Sequence, residues 1–189
     1  MNFDIKLYNE GFFEWHLVYA RDYSIKTMLW FIEKYKPESV IDFGCGIGSY
    51  LEAAYSKGLR IKGIDISYHA FKFTPEHIRP FISYKDCTKE IVTWGYDCAL
   101  SFETAEHIDP AGTDQFIDNI KRAASKYILF TAAPPGQEGC GHINLHPREY
   151  WIEKFGLPVD EEMTKDIADN WALLGCPPYI SKNLIVFKK

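Results

Sequence analysis

Lysine and arginine form no run in this sequence. They number 21 against 26 acidic residues, for a formal net charge of −5 and an isoelectric point near 5.7. Non-specific binding to nucleic acid or to an anionic membrane needs a basic patch, so both partner classes are disfavoured, and only a local basic groove stays open. No apolar stretch approaches the roughly 18 residues of a transmembrane helix, and the opening MNFDIKLYNE mixes charges into its apolar residues where a signal peptide would be uniformly apolar. A cytoplasmic location is the resulting expectation. Cys45, Cys87, Cys98, Cys140 and Cys176 are odd in number, widely spaced and without a C-x-x-C pair, which excludes a disulfide framework and a thiolate zinc site as design features. Internal repeats and low-complexity segments are also lacking.

What is present is ordinary globular material, with 47% hydrophobic and 25% charged residues in 189 positions, enough for one domain with its own core. Short β-branched runs alternate with runs of helical period, the mark of an α/β fold. Ser24 to Lys36 puts Ile25, Leu29, Ile32 and Tyr35 near one helical face, with Ser24 as N-cap and Pro37 just past the end. Strands are predicted at 39–43, 60–64, 81–84, 97–102, 127–131 and 183–187. Helices are predicted at 49–57, after Ser67, at 110–124 and at 147–155, the last with Pro147 at its tolerated first position.

Between the first strand and the helix after it stands Asp42-Phe-Gly44-Cys-Gly46-Ile-Gly48. A ligand can approach backbone that lacks Cβ atoms there while facing a helix N-terminus, so a nucleoside-bearing cofactor is expected. Seventeen residues after Gly48, Asp65 closes the next strand, where a carboxylate can accept both hydrogen bonds of a ribose diol. A dinucleotide fingerprint would need glycine where Ser49 stands, and a phosphate loop would need Gly-Lys-Ser/Thr, so NAD and ATP both fit poorly.

In order, Asp42, Gly44, Gly46, Gly48, Asp65 and Asp86 resemble the acidic and glycine motifs of the class I S-adenosylmethionine-dependent methyltransferases, over roughly Glu38 to Thr131. The resemblance implies a Rossmann-like, doubly wound α/β sheet of seven strands, mostly parallel with the last antiparallel, in three layers. It implies S-adenosylmethionine as cofactor, with the glycine turn on the methionine part, Asp65 at the ribose, Asp86 with Cys87 at the adenine, and Ile66, Ser101 and Phe102 as further cofactor-binding residues. A sulfonium cofactor without phosphate calls for carboxylates and aromatic faces in place of Lys or Arg, and this sequence supplies them. The aromatic stretch from Tyr8 to Tyr23 resembles the N-terminal helix that lids the pocket in small-molecule methyltransferases, and an aromatic face packed on the core would read the same way. The chain then divides into a helical lid (1–36), a cofactor-binding core (38–131) and a substrate side (132–189), within a single domain.

Reacting groups are expected at the carboxyl edge of strand four, where Glu103-Thr-Ala-Glu106-His107 follows Ser101-Phe102. On a helical turn Glu103, Glu106 and His107 would share one side. His142 follows strand five in a glycine-rich loop on the same edge, and two carboxylates with two imidazoles suit a divalent metal. The E-x-x-E-H pattern with a later histidine resembles the metal site of small-RNA 3′-terminal 2′-O-methyltransferases, and it recurs in ubiquinone-pathway O-methyltransferases. The segment His142 to Trp151 resembles a bacterial and phage-type subgroup. Without a metal, Glu106 and His107 would shape the cofactor pocket and His142 would act as a general base or order its loop. The expected activity is methyl transfer to an oxygen of a small molecule, with His142, His107 and Glu106 as the catalytic group. An RNA 2′-O-methyltransferase and a non-catalytic cofactor-binding module are the competing readings, and the acidic charge counts against RNA.

Overall fold

The computed structural model describes residues 9–189, together with every side chain in that range except Trp15. Expectations placed on residues 1–8, the start of the lid, lie outside it. Six strands, β1 (Ser39–Phe43), β2 (Arg60–Asp65), β3 (Ile82–Tyr84), β4 (Tyr96–Ser101), β5 (Ala124–Phe130) and β6 (Ile185–Lys188), form one sheet in the order β3-β2-β1-β4-β5-β6. All pairs are parallel except β5 with β6. The expected α/β fold is present with one strand fewer than seven among the described residues. From 132 to 184 the chain runs through proline- and glycine-rich loop and helices, so β6 pairs directly with β5.

Side-chain alternation explains the three layers. In β1 the strand residue Val40 faces one core with Met28, Phe31 and Leu51, while Ile41 and Phe43 face the other with Phe116, Ile120 and Phe130. A parallel strand covered on both faces has no polar side to show, and all five residues of β1 are buried. The first face is covered by α2 (Arg21–Tyr35), α3 (Ser49–Ser56) and α7 (Glu161–Leu173), the second by α5 (Thr113–Ala123) and α6 (Arg148–Phe155). Shorter helices α1 (Glu10–Trp15), α4 (Tyr68–Phe73) and α8 (Pro178–Ser181) flank the carboxyl edge, and a π-type turn over His16–Ala20 joins α1 to α2. Among the described residues no helix is long and apolar enough to cross a membrane.

Several boundaries differ from the sequence reading for local reasons. Ser24 does not cap α2. The helix begins at Arg21, and the Ser24 hydroxyl donates back to Ala20 O at 2.8 Å. Pro147 is the N-cap of α6 and stands just before its first position, and Ala124 opens β5 where it was expected to continue α5. The sequence reading had no element at α7. There Asp160 caps the helix by accepting from Met163 N at 2.9 Å, and Met163, Ile167 and Trp171 recur every four residues as its buried stripe.

Candidate active site

Strand order reverses between β1 and β4, and the crevice this opens at the carboxyl edge is where open α/β sheets bind ligands. A cavity of about 370 Å³ occupies that place. On its β1–β2 side the glycine turn is pinned to the end of β2, because Gly44 N and Cys45 N both donate to Ile64 O, at 2.8 and 3.2 Å. Asp65 accepts from Gly46 N at 2.8 Å and from Ser67 N at 2.7 Å, which fixes its carboxylate against the turn while each oxygen keeps a lone pair for a further donor. Burial raises its pKa, and the N–H groups of Ser67 and Gly46 offset part of the rise.

The three glycines serve different ends. Gly44, at φ +80°, lies under Thr104, so that a Cβ there would overlap the threonine side chain. Gly46, at φ +53°, lines the cavity and has no protein atom within 4 Å of where a Cβ would stand, the open cradle a bound nucleoside needs. Gly48 is outside the lining and acts as the left-handed N-cap of α3, packed under Ile78. Of the residues the sequence assigns to the cofactor, Asp42, Ile66, Cys87 and Phe102 line the cavity, whereas Asp86 and Ser101 do not. Asp86 turns into its own loop to accept from Thr88 N and Thr88 Oγ1, and Ser101 is fully buried at the end of β4. Asp42, 2% exposed, has its pKa pushed up to about 8 by burial and by the neighbouring Asp65 carboxylate.

On the β4–β5 side the helical turn runs only from Ala105 to His107 and is of the 3-10 type, since Glu103 sits in the left-handed region at φ +46°. Glu103 is consequently set apart from the other three expected ligands. Its Oε2 accepts from Gln137 Nε2 at 2.7 Å, and its N–H donates to Thr131 Oγ1 at 2.9 Å. Glu106, His107 and His142 come together, with ligand atoms all within 4.8 Å of one another. Both imidazole Nε2 atoms stand 3.9 Å from Glu106 Oε1, and the two rings meet edge to face at 4.9 Å.

Loop carbonyls set the tautomers. His107 Nδ1 faces Gly141 O at 3.1 Å and His142 Nδ1 faces Gln137 O at 3.2 Å, so each Nδ1 donates to its carbonyl and each Nε2 is turned towards Glu106. The same loop is tied to the turn by Ile143 N and Asn144 N, which both donate to Glu106 O. Glu106 is fully buried, and neither carboxyl oxygen has a hydrogen-bond partner among the described residues. Burial pushes its pKa well above the usual carboxylate range and Glu103 adds to the rise, while the N–H groups of Glu106 itself and Ala133 oppose it without reaching hydrogen-bond geometry. Burial pulls His107 down to about 4. A buried carboxyl without a donor, faced by two imidazole nitrogens, is an arrangement that a cation would complete.

Sequence reasoning missed Tyr50, Thr104, Gln137 and Tyr179, all on the cavity wall. A signal existed only for Tyr50, which directly follows the glycine turn at the start of α3. Carboxylates from Asp42, Asp65, Glu103, Glu106 and Glu138 line the cavity, and among the described residues no Lys or Arg does.

A family model described as a methyltransferase domain matches residues 19–151, well over half of the chain. A ubiquinone biosynthesis O-methyltransferase from Nitrosomonas europaea is 26% identical over 121 residues, covering 60% of this chain and 47% of the relative, so the chain spans about half the length of the curated relative it matches. The fold is shared with a SAM-dependent methyltransferase from Archaeoglobus fulgidus (TM-score 0.57, 20% identity, 87% of this chain and 94% of that one). It is shared also with the methyltransferase domain of bacterial CtHen1 (TM-score 0.53, 22% identity, 73% and 86%). With a family model matched across the glycine turn, Asp65 and the Glu106–His107 turn, the chain belongs to the methyltransferase domain family.

Proposed function

We propose that the chain transfers the methyl group of S-adenosylmethionine to an oxygen of a small-molecule acceptor. The observation that carries the reading is the placement of Glu106, His107 and His142 on the wall of the same cavity as Asp65 and Gly46. Asp65 and Ile66 would hold the ribose, Gly44 and Gly46 would admit the cofactor's backbone-facing side, Cys87 would border the adenine, and Phe102 would close over the methionine part. The bound cofactor supplies an electrophilic methyl group on a sulfonium. This chain supplies position, exclusion of water and a place for the acceptor's proton.

An alcohol or phenol is a poor nucleophile until its proton leaves or its oxygen is polarised. Glu106, His107 and His142 would hold a divalent metal that polarises it, a donor set suited to Mg²⁺, Mn²⁺, Fe²⁺ or Zn²⁺. Glu103, expected as a fourth ligand, accepts from Gln137 Nε2 instead and stands outside this donor set. In the competing mechanism His142 Nε2 takes the acceptor's proton directly and no metal takes part. The small-molecule reading is favoured over RNA because a phosphate backbone entering this cavity would meet several carboxylates and, among the described residues, no Lys or Arg.

The test is transfer of isotope-labelled methyl from S-adenosylmethionine to a panel of phenols and aliphatic alcohols, with and without EDTA. The oxygen-methylation reading fails if label goes only to amines or to RNA. Loss of transfer on chelation, restored by one divalent metal while S-adenosylhomocysteine still binds in its absence, supports the metal. Transfer indifferent to EDTA supports His142 as base.

A further inference from the structure

A ligand with its ribose at Asp65, extended across the glycine turn, brings its far end to the start of α3 and the residues after β4. This inference rests on the reading that S-adenosylmethionine is that ligand, whose far end is an amino acid with an ammonium and a carboxylate. Asp42 stands close by for the ammonium. The carboxylate is the harder group to place, because among the described residues no Lys or Arg lines the cavity. Neutral donors must meet it.

Two kinds are present at the required place. Gly48 caps α3 without a side chain to satisfy the helix's first N–H groups, leaving a site of the sort that attracts anions. Tyr50, the second residue of that helix, lines the cavity at 9% exposure, and its hydroxyl has no hydrogen-bond partner among the described residues. Its ring is held by Phe102 at 4.8 Å and stacks at 6.3 Å on Trp171, so the hydroxyl cannot swing out to water. A phenol buried without a partner is costly, and retention of one on a cavity wall points to a ligand atom that completes it. Burial raises the pKa of Tyr50 well above that of an ordinary tyrosine, so the hydroxyl keeps its proton and can donate. Ser24 lies beside it with its own proton committed to Ala20 O, and the hydroxyls of Tyr23 and Tyr179 stand near one another on the same wall.

We propose that Tyr50 is a cofactor-binding residue whose hydroxyl donates to the carboxylate of the amino-acid end of S-adenosylmethionine, at the uncapped N-terminus of α3, in place of a basic side chain. The assignment separates Tyr50 from its neighbour Phe102, which offers the same end of the cofactor only an apolar face.

Calorimetry with two ligands tests it: S-adenosylhomocysteine, and its decarboxylated analogue, which lacks only the carboxylate. Tyr50→Phe should weaken S-adenosylhomocysteine by about 10- to 100-fold, the range for a hydrogen bond to a charged group, and leave the analogue within about 2-fold. Equal losses for both ligands, or no loss for either, overturn the proposal. If Tyr50→Phe does not fold, a crystal structure of the wild type with S-adenosylhomocysteine decides: Tyr50 Oη within about 3 Å of a carboxylate oxygen supports the assignment, and separation beyond hydrogen-bond reach overturns it. A wild type that binds neither compound sinks the cofactor reading and this assignment together, whereas one that binds both while Tyr50→Phe changes nothing sinks the tyrosine alone.

Discussion

On the β1–β2 wall of the cavity, backbone places the groups that face the ligand space: Gly44 and Cys45 hang from Ile64 O, and Gly46 N and Ser67 N hold Asp65. On the β4–β5 wall the corresponding groups are side chains held by a loop, with Gly141 O on His107, Gln137 O on His142, and Gln137 Nε2 on Glu103. The first wall is built within one strand-turn-helix-strand unit. The second needs the turn after β4 and the loop after β5, about 35 residues apart in sequence, to meet. A binding wall made of backbone keeps its shape without a ligand, and a wall of loop-held imidazoles can adjust to an acceptor at little cost to the fold.

If the walls divide the work as proposed, substitutions should separate binding from chemistry. The largest effect is expected at Glu106. Glu106→Gln removes the group on which both imidazoles converge, and single-turnover transfer should fall about 10²- to 10⁴-fold with S-adenosylhomocysteine affinity unchanged within about 2-fold. A large change in that affinity would show that the walls are not independent. Asp65→Ala is the complementary probe. Loss of up to two charge-assisted hydrogen bonds to the ribose, about 1.5 to 3 kcal/mol each, should weaken the cofactor by about one to four orders of magnitude, while the rate at saturating cofactor is nearly preserved. Calorimetry showing an unchanged dissociation constant would remove Asp65 from the site.

A smaller effect tests the loop. Gly139 lies under the His142 ring, and a Cβ built there overlaps the imidazole. Its backbone is not in the left-handed region, so Gly139→Ala acts by displacing the ring and leaves the chain unstrained. About a 10-fold loss in transfer, with unaltered melting temperature and cofactor affinity, is expected. A melting temperature lowered by several degrees would mean that the loop is structural.

The same contrast explains what the sequence could show. Strand, glycine turn, helix and the acid closing the next strand lie within 30 residues, and every signal there is local: Gly at positive φ, apolar runs of strand length, Asp65 at a strand end. Glu106, His107 and His142 could be grouped because both segments leave the carboxyl edges of adjacent strands. Glu103 could not be placed, since its direction depends on a left-handed backbone that no sequence period encodes. Asp86 was read from its position after β3, but its side chain is claimed by Thr88 two residues on. Trp171 and Tyr50 meet across more than 100 residues, and only packing reveals that contact.

The smallest expected effect concerns the backbone-built wall in the absence of ligand. Asp42, ordinarily near 3.8, is held at about 8 by burial and by Asp65, so between those values the folded chain keeps a proton that the unfolded chain has lost. Each rise in pH across that window therefore lowers stability. Glu103, Glu106 and Asp65, also raised, act in the same direction, whereas His16 and His107, lowered from 6.5 to about 4, favour the folded state as pH rises from the lower value through the higher. In the window from 6.5 to 8 the histidine contribution fades and is common to the wild type and any variant at position 42, so the difference between the two reports on Asp42. Across it Asp42 should account for roughly 1.5 kcal/mol, or about 3 to 6 °C in a domain of this size. Asp42→Asn keeps the shape and removes the titration, so its melting temperature should fall less steeply than that of the wild type over the same interval. Parallel melting curves for the two proteins between pH 6.5 and 8 would mean that Asp42 is already ionised in the empty cavity.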